Sequence, residues 1–204
     1  MIEKKDITGI ILSGGKSSRM GSDKGFLNLN GKPFVQYSID ALEPLVSEII
    51  IVSDHSEYDK FGYRRITDSI KNAGPVAGIS AGLEASKTTF NLVLSCDIPL
   101  ITTEVLEKLI QNTNNKHDII QIESQGKSMP LIALYKKSCG SIFRKLVEEN
   151  ERRLRVAVNT CKVKNVVLES KDEKTTMNVN TQEELKQLKD NINDLLDCAN
   201  KTIR

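Results

Sequence analysis

The sequence predicts an α/β protein built on a mainly parallel sheet with helices on both faces. Two observations predict it. Apolar runs alternate with amphipathic stretches along most of the chain. The runs are continuous rather than two-period, as expected of strands covered on both faces. Ile7–Leu12 (ITGIIL) reads as a buried strand, followed at once by a Gly/Ser-rich loop. Phe34, Tyr37, Ala41, Leu42 and Leu45 fall at helical spacing, with Pro44 near the end. Glu48–Val52 (EIIIV) is a second buried strand, and Arg64–Thr67 a short third one ending in Asp68. A helix over Val76–Ser86 follows Gly74-Pro75. Phe90–Ser95 (FNLVLS) is a strand that Cys96-Asp97-Ile98-Pro99 breaks. Thr102 or Thr103 caps a helix carrying Val105, Leu106, Leu109 and Ile110. Ile119–Ile122 and Pro130–Tyr135 read as strands, Ile142, Phe143, Leu146 and Val147 as a helix, and Val163–Leu168 as a late strand. Thr181 and Glu184 form a capping box for a last helix with Leu185, Leu188, Ile192, Leu195 and Leu196. That apolar stripe is expected to pack on the chain's own core.

The 204 residues suit one domain over 1–204, with a polar tail after about residue 199. A chain of this length hides about 70% of its unfolded surface on folding, so it needs no disulfide or zinc staple. With 29 basic and 27 acidic side chains the net charge is +2, which excludes a nucleic-acid binder driven by bulk charge. Aromatic residues are only 4% and Trp is absent, leaving little for base stacking. No apolar run approaches the ~20 residues that span a bilayer, and no secretory segment opens the chain. Cys96, Cys139, Cys161 and Cys198 form no CxxC pair. Reduced thiols in the cytoplasm are the expectation.

The most informative segment is Leu12-Ser-Gly-Gly-Lys-Ser-Ser-Arg-Met-Gly-Ser-Asp-Lys24. Gly14 and Gly15 let a ligand approach the main chain closely. Successive N–H groups in such a turn make a concave anion site. Lys16, Arg19 and Lys24 add positive charge, and the whole fits a polyphosphate cradle. It is neither of two common phosphate loops. Gly15 and Gly21 enclose five residues and Ser22 follows, so Walker A spacing fails. Gly14-Gly15-Lys16 supplies no G-x-G-x-x-G fingerprint. The alternative is a solvated surface loop, but a position after the first strand of an α/β pattern is where ligands gather.

The longer pattern L-S-G-G-x-x-x-R-M-G-x-D-K, with Asn30-Gly-Lys-Pro33, resembles the signature of nucleotidyltransferases with a Rossmann-like, GT-A-type fold. Further segments follow in order: Asp68 before Gly74-Pro-Val-Ala-Gly78-Ile, then Cys96-Asp97-Ile98-Pro99, Glu151-Arg-Arg153, and Asn178-Val-Asn180-Thr181. Together they resemble the molybdenum cofactor guanylyltransferases. That resemblance implies a three-layer α/β/α architecture. It also implies transfer of GMP from GTP to the terminal phosphate of molybdopterin, with release of pyrophosphate. On this reading Leu12, Ser13, Gly14, Gly15, Lys24, Asp68 and Asp97 bind the nucleotide. Lys24, Arg19 and Asp97 are catalytic, and Asp97 holds Mg²⁺. Gly78, Gly82, Asn178 and Asn180 face molybdopterin. Transient contact with molybdoenzymes or other cofactor-biosynthesis proteins is implied as well. Two departures stand out. Ser13 replaces the family's usual Ala, and Ser53-Asp54 follows the second strand where relatives often place an Asn.

Each residue also has a plainer role. Asp97 and Asp68 suit strand-end turns. Gly78 and Gly82 suit close helix–sheet packing, since Gly costs ~1 kcal/mol against Ala inside a helix. Asn178 and Asn180 suit turns or caps. Arg152, Arg153 and Arg155 suit a solvated face as well as an anionic substrate. Cys96 reads as a small buried hydrophobe. His55 and His117 are isolated and receive no role. Three rival functions remain at this point: a cytidylyltransferase acting on molybdopterin or methylerythritol phosphate, a sugar-phosphate nucleotidyltransferase, and a GTP-binding module without turnover.

Overall fold

The computed structural model of the chain describes residues 2–14, 23–68 and 73–190. The elements run β1 (Ile7–Leu12), β2 (Asn28–Leu29), β3 (Lys32–Pro33), α1 (Phe34–Leu42), β4 (Glu48–Val52), β5 (Arg64–Ile66), α2 (Pro75–Ala85), β6 (Phe90–Ser95), α3 (Thr103–Gln111), β7 (Ile119–Ser124), β8 (Lys127–Lys136), α4 (Cys139–Glu148), α5 (Leu154–Asn159) and β9 (Val163–Val167). Residues 182–190 are helical as well (α6). Seven strands form one sheet in the order β5-β4-β1-β6-β8-β7-β9. Only β8 runs against the others, because a tight turn at Gln125 (φ 52°) and Gly126 (φ 69°) folds it back on β7. The mainly parallel expectation holds.

The apolar runs alternate sides once buried, as a strand must. Ile7 and Ile11 of β1 join Val35, Ile39 and Leu42 of α1 and Leu106 and Leu109 of α3 on one face. Ile10 turns to the other face, among Val76, Ile79 and Leu83 of α2 and Phe143 of α4. Both faces are thereby covered, giving the three layers. A third, smaller cluster gathers Leu27, Leu29, Phe34, Val179, Leu185 and Leu188. It docks the start of α6 onto the β2–β3 hairpin, so Leu185 and Leu188 pack on the chain's own core. Ile192, Leu195, Leu196, Cys198 and the tail lie outside the described residues.

The capping box is present. Thr181 Oγ1 accepts from Glu184 N at 3.1 Å, and Glu184 Oε2 accepts from Thr181 N at 3.1 Å. The other proposed cap is corrected: α3 begins after Thr102, but that side chain caps no backbone N–H. Periodicity missed α5, which has only six residues and too few turns to show a pattern. It missed also the Asn30-Gly31 hairpin, whose residues sit at φ 52° and 82°.

Register aligns the strand ends. Leu12 pairs with Val52 on one side and with Ser95 on the other, and Val52 pairs with Ile66. The carboxyl ends of β5, β4, β1 and β6 therefore finish level, and the loops after them share one edge. Parallel sheets seat ligands at such an edge.

Gly78 and Gly82 lie one turn apart on α2 but do different things. A Cβ on Gly82 would stand 2.6 Å from Ile10 Cγ2, while one on Gly78 would meet Leu12 Cδ2 at an ordinary 3.4 Å. Gly82→Ala should therefore destabilise by about 1–2 kcal/mol, overpacking outweighing the gain in helix propensity. Gly78→Ala should be neutral or slightly stabilising. Urea unfolding of both variants measures the contrast.

Candidate active site

The level strand ends frame a cleft of about 780 Å³. Leu12, Ser13 and Gly14 leave β1 into it; Ser53, Asp54 and His55 follow β4; Asp68 follows β5; Ser95 and Asp97 close β6. Gly74, Pro75 and Gly78 bring in the start of α2. Of the expected nucleotide contacts, the structure thus brings Leu12, Ser13, Gly14, Asp68 and Asp97 to one place. Gly15 and Arg19, with Lys16, lie outside the described residues.

Asp97 is largely buried. Its Oδ1 accepts from Ser95 Oγ at 2.7 Å, and its Oδ2 lies 3.1 Å from Lys24 Nζ. Lys24 comes from the far end of the glycine loop, where a short turn over Lys24–Phe26 starts behind Asp23. The same Nζ donates to Asn180 Oδ1 at 2.5 Å. The Asn178–Asn180 segment is held by Val179 N donating to the Asp97 carbonyl at 2.9 Å. Three segments that are remote in sequence therefore meet at one ammonium. A cation shared between a carboxylate and an amide oxygen is well placed to release toward a stronger anion such as phosphate.

Several sequence expectations need correction. The Ser13 N–H is not open to a ligand: it donates to Val52 O at 3.0 Å, extending the β1–β4 ladder. Gly82 does not line the cleft; its missing side chain admits Ile10, a packing role. Asn178 is exposed and lies outside the cleft lining, whereas Asn180 reaches Lys24. Arg153 agrees with the solvated-face alternative: it is exposed and committed to Glu151 (Nη2 to Oε2 2.6 Å), and that guanidinium holds the Glu151 carboxyl down to about 2. The sequence marked Ser53-Asp54 only as a departure from the family pattern and gave His55 no role, yet all three line the cleft. Their position directly after a parallel strand next to β1 was the available signal.

The carboxylates of the cleft are Asp54, Asp68 and Asp97. Among the described residues no three His, Cys, Asp or Glu side chains converge as a ready-made cation cage. Such a donor set fits Mg²⁺, which takes one or two carboxylates and completes its shell with phosphate oxygens and water.

Behind the cleft lies a buried polar knot. Asp23 Oδ1 accepts from Gly25 N at 3.0 Å and from Tyr58 Oη at 2.7 Å. Burial drives the Tyr58 hydroxyl far above its ordinary range, with the Cys96 thiol and Asp23 adding to the effect. Burial also pushes the Cys96 thiol up to about 12, Asp97 and Asp23 adding to it while Ser13 and Lys24 oppose it. Cys96 should therefore resist iodoacetamide at pH 8 in the folded protein, since alkylation needs the thiolate. Peptide mapping before and after denaturation, with Cys96 reacting only afterwards, is the expected result.

Comparison with known proteins places this geometry. The model of the MobA-like NTP transferase domain family matches residues 9–165. The chain is 36% identical to a probable molybdenum cofactor guanylyltransferase of Flavobacterium johnsoniae, over 91% of this chain and 98% of that one. It is 31% identical to the molybdenum cofactor guanylyltransferase of Vibrio parahaemolyticus, over 92% and 97% of the two chains. The crystal structure of molybdopterin-guanine dinucleotide biosynthesis protein A from Archaeoglobus fulgidus superposes with a TM-score of 0.78 at 22% identity, covering 92% of this chain and 99% of that one. That likeness concerns the fold.

Proposed function

The chain belongs to the MobA-like NTP transferase family, and on that premise we propose that it transfers GMP from GTP to the terminal phosphate of molybdopterin, releasing pyrophosphate. The observation that carries the reading is the meeting of Lys24, Asp97 and Asn180 at the edge of the cleft. A terminal phosphate oxygen of molybdopterin attacks the α-phosphorus of GTP, and the bond to the bridging oxygen of the pyrophosphate breaks. The attacking phosphate is already ionised at neutral pH, so no side chain has to act as general base. Position and charge neutralisation supply most of the rate.

Lys24 and Asp97 neutralise one another when the cleft is free of anions. A triphosphate entering there brings negative charge that this pair alone does not balance. Lys24 turns its ammonium from Asn180 toward the phosphates, and its positive charge follows the leaving pyrophosphate. Asp97, steadied at Oδ1 by Ser95, would hold Mg²⁺ through its carboxylate once Lys24 has turned to the phosphates. When bound, that ion polarises the phosphate oxygens and offsets charge on the leaving group. Ser53, Asp54 and His55 lie at the opposite wall from Leu131 as candidates to face the base or ribose. Gly78 lines the cleft beside Leu12 and is the candidate for close approach of the pterin. Arg19 remains a proposed further contact to the triphosphate. A cytoplasmic location and transient contact with molybdoenzymes or with other proteins of cofactor biosynthesis form part of the same proposal. No helix among the described residues is long and apolar enough to cross a membrane.

Pyrophosphate release measured with Mg²⁺, molybdopterin and each nucleoside triphosphate in turn tests the reaction. Turnover with GTP alone is expected; turnover with CTP alone transfers the chain to cytidylyl chemistry. Lys24→Ala should lower turnover by about 10²-fold or more, the scale of losing one preorganised electrostatic donor. Asp97→Ala should abolish Mg²⁺-dependent turnover with the circular dichroism spectrum unchanged. Near-normal turnover of either variant removes that residue from the mechanism.

A further inference from the structure

Tyr58 is a fully buried phenol on the segment after β4, and nothing in the reaction itself calls for it. We propose that Tyr58 is a positioning residue: through Asp23 it holds the turn that aims Lys24 at Asp97. The inference rests on the proposed role of Lys24 and names what keeps that lysine in place.

Tyr58 touches the Lys24 turn on both sides. On the N-terminal side its hydroxyl donates to Asp23 Oδ1 at 2.7 Å. That oxygen also accepts from Gly25 N at 3.0 Å, which closes the turn around Lys24. On the C-terminal side the phenol ring stacks on Phe26, with centroids 4.5 Å apart. Between them, a Cβ on residue 25 would stand 2.0 Å from the Tyr58 hydroxyl oxygen. The hydroxyl fills the place of the side chain that Gly25 lacks. Residue 25 is therefore glycine because Tyr58 reaches into the turn, and not because the backbone needs a left-handed residue.

The energetic logic favours a clamp. A buried hydroxyl without a partner is costly, and a carboxylate is the strongest acceptor it can find. Asp23 answers Tyr58 and the turn with the same oxygen, so the phenol fixes where the acceptor of the Gly25 N–H sits. Its second oxygen is buried, 3.7 Å from His55 Nε2, and accepts no hydrogen bond among the described residues. Lys24 is a long side chain with much rotamer freedom to lose. Holding its Nζ between Asp97 and Asn180 requires a rooted Cα, and the Tyr58–Asp23 contact supplies the root.

Tyr58→Phe removes one oxygen and keeps the ring stack. The first readout needs no substrate. The folded protein is treated with the N-hydroxysuccinimide ester of acetic acid, and acetylation of each lysine is followed by peptide mass spectrometry. Acetylation of Lys24 is expected to rise about fivefold or more, as its hold on Asp97 and Asn180 loosens. Lys108, paired with Asp172 elsewhere at 2.7 Å, is expected to stay unchanged. Equal rates at Lys24 in both proteins overturn the proposal, as does a rise at Lys24 and Lys108 alike. Should Tyr58→Phe fail to fold, Gly25→Ala pushes the Tyr58 hydroxyl and the ring edge that bears it out of the turn with every polar group retained, and the same criteria apply.

The second readout is a double-mutant cycle on pyrophosphate release. Tyr58→Phe is expected to lower kcat about tenfold in the native background and to have no further effect in Lys24→Ala. An equal loss in both backgrounds means Tyr58 does not act through Lys24. Absence of turnover by the unaltered protein with every triphosphate refutes the proposed reaction, while the acetylation result still decides the role of Tyr58.

Discussion

The contact between Lys24 Nζ and Asp97 Oδ2 is the constraint on which the site depends. The two residues are 73 positions apart and belong to different segments. Asp97 is fixed by the sheet: it follows β6, whose last residue pairs with the last residue of β1. Lys24 is fixed by the return of the chain after the glycine loop, where Leu27 and Leu29 are buried against Val179 and Leu185. Asn180 completes the meeting because Val179 is hydrogen-bonded to the backbone of Asp97 itself. Shifting any one of these supports moves a charge away from the cleft.

The surroundings of this pair suit the catalytic role proposed for it. Lys24 keeps 23% of its side-chain surface exposed, enough to screen the attraction and to let the ammonium move. Asp97 is less exposed, at 13%, and has Ser95 to hold its other oxygen. A partly exposed cation beside a more deeply buried carboxylate suits phosphoryl chemistry, where charge must be met as it develops. The buried layer behind, with Tyr58, Cys96 and Asp23, is rigid by contrast. Its aromatic stack on Phe26 and its hydrogen bonds leave the turn little freedom.

Polar and small residues divide sharply between scaffold and site. Gly82 and Gly25 accept a neighbour's atoms, Ile10 in one case and the Tyr58 hydroxyl in the other. Gly78 has a similar helical setting and yet opens onto the cleft. Three glycines of the same composition class thus serve packing, turn anchoring and the lining of the cleft. Residue type did not distinguish them; the identity of the nearest atom did.

Much of the fold was legible in the sequence. Continuous apolar runs such as ITGIIL and FNLVLS carry the sheet, since burying them on both faces is the only way to remove them from water. Lys24 and Asp97 were legible too, because a glycine-rich turn and an acidic strand end have recognisable local chemistry. Local patterns carried no information about distance in space. They could not show that Ser13 N–H is taken by Val52, that Asn180 rather than Asn178 reaches Lys24, or that His55 stands at the cleft wall. Those facts follow from register, from which strand lies beside which, and from a hydroxyl occupying the space beside a glycine. Sequence determined the longer elements and the chemical candidates; the long-range pairing of strands, which depends on contacts summed over the whole core, decided which candidates meet.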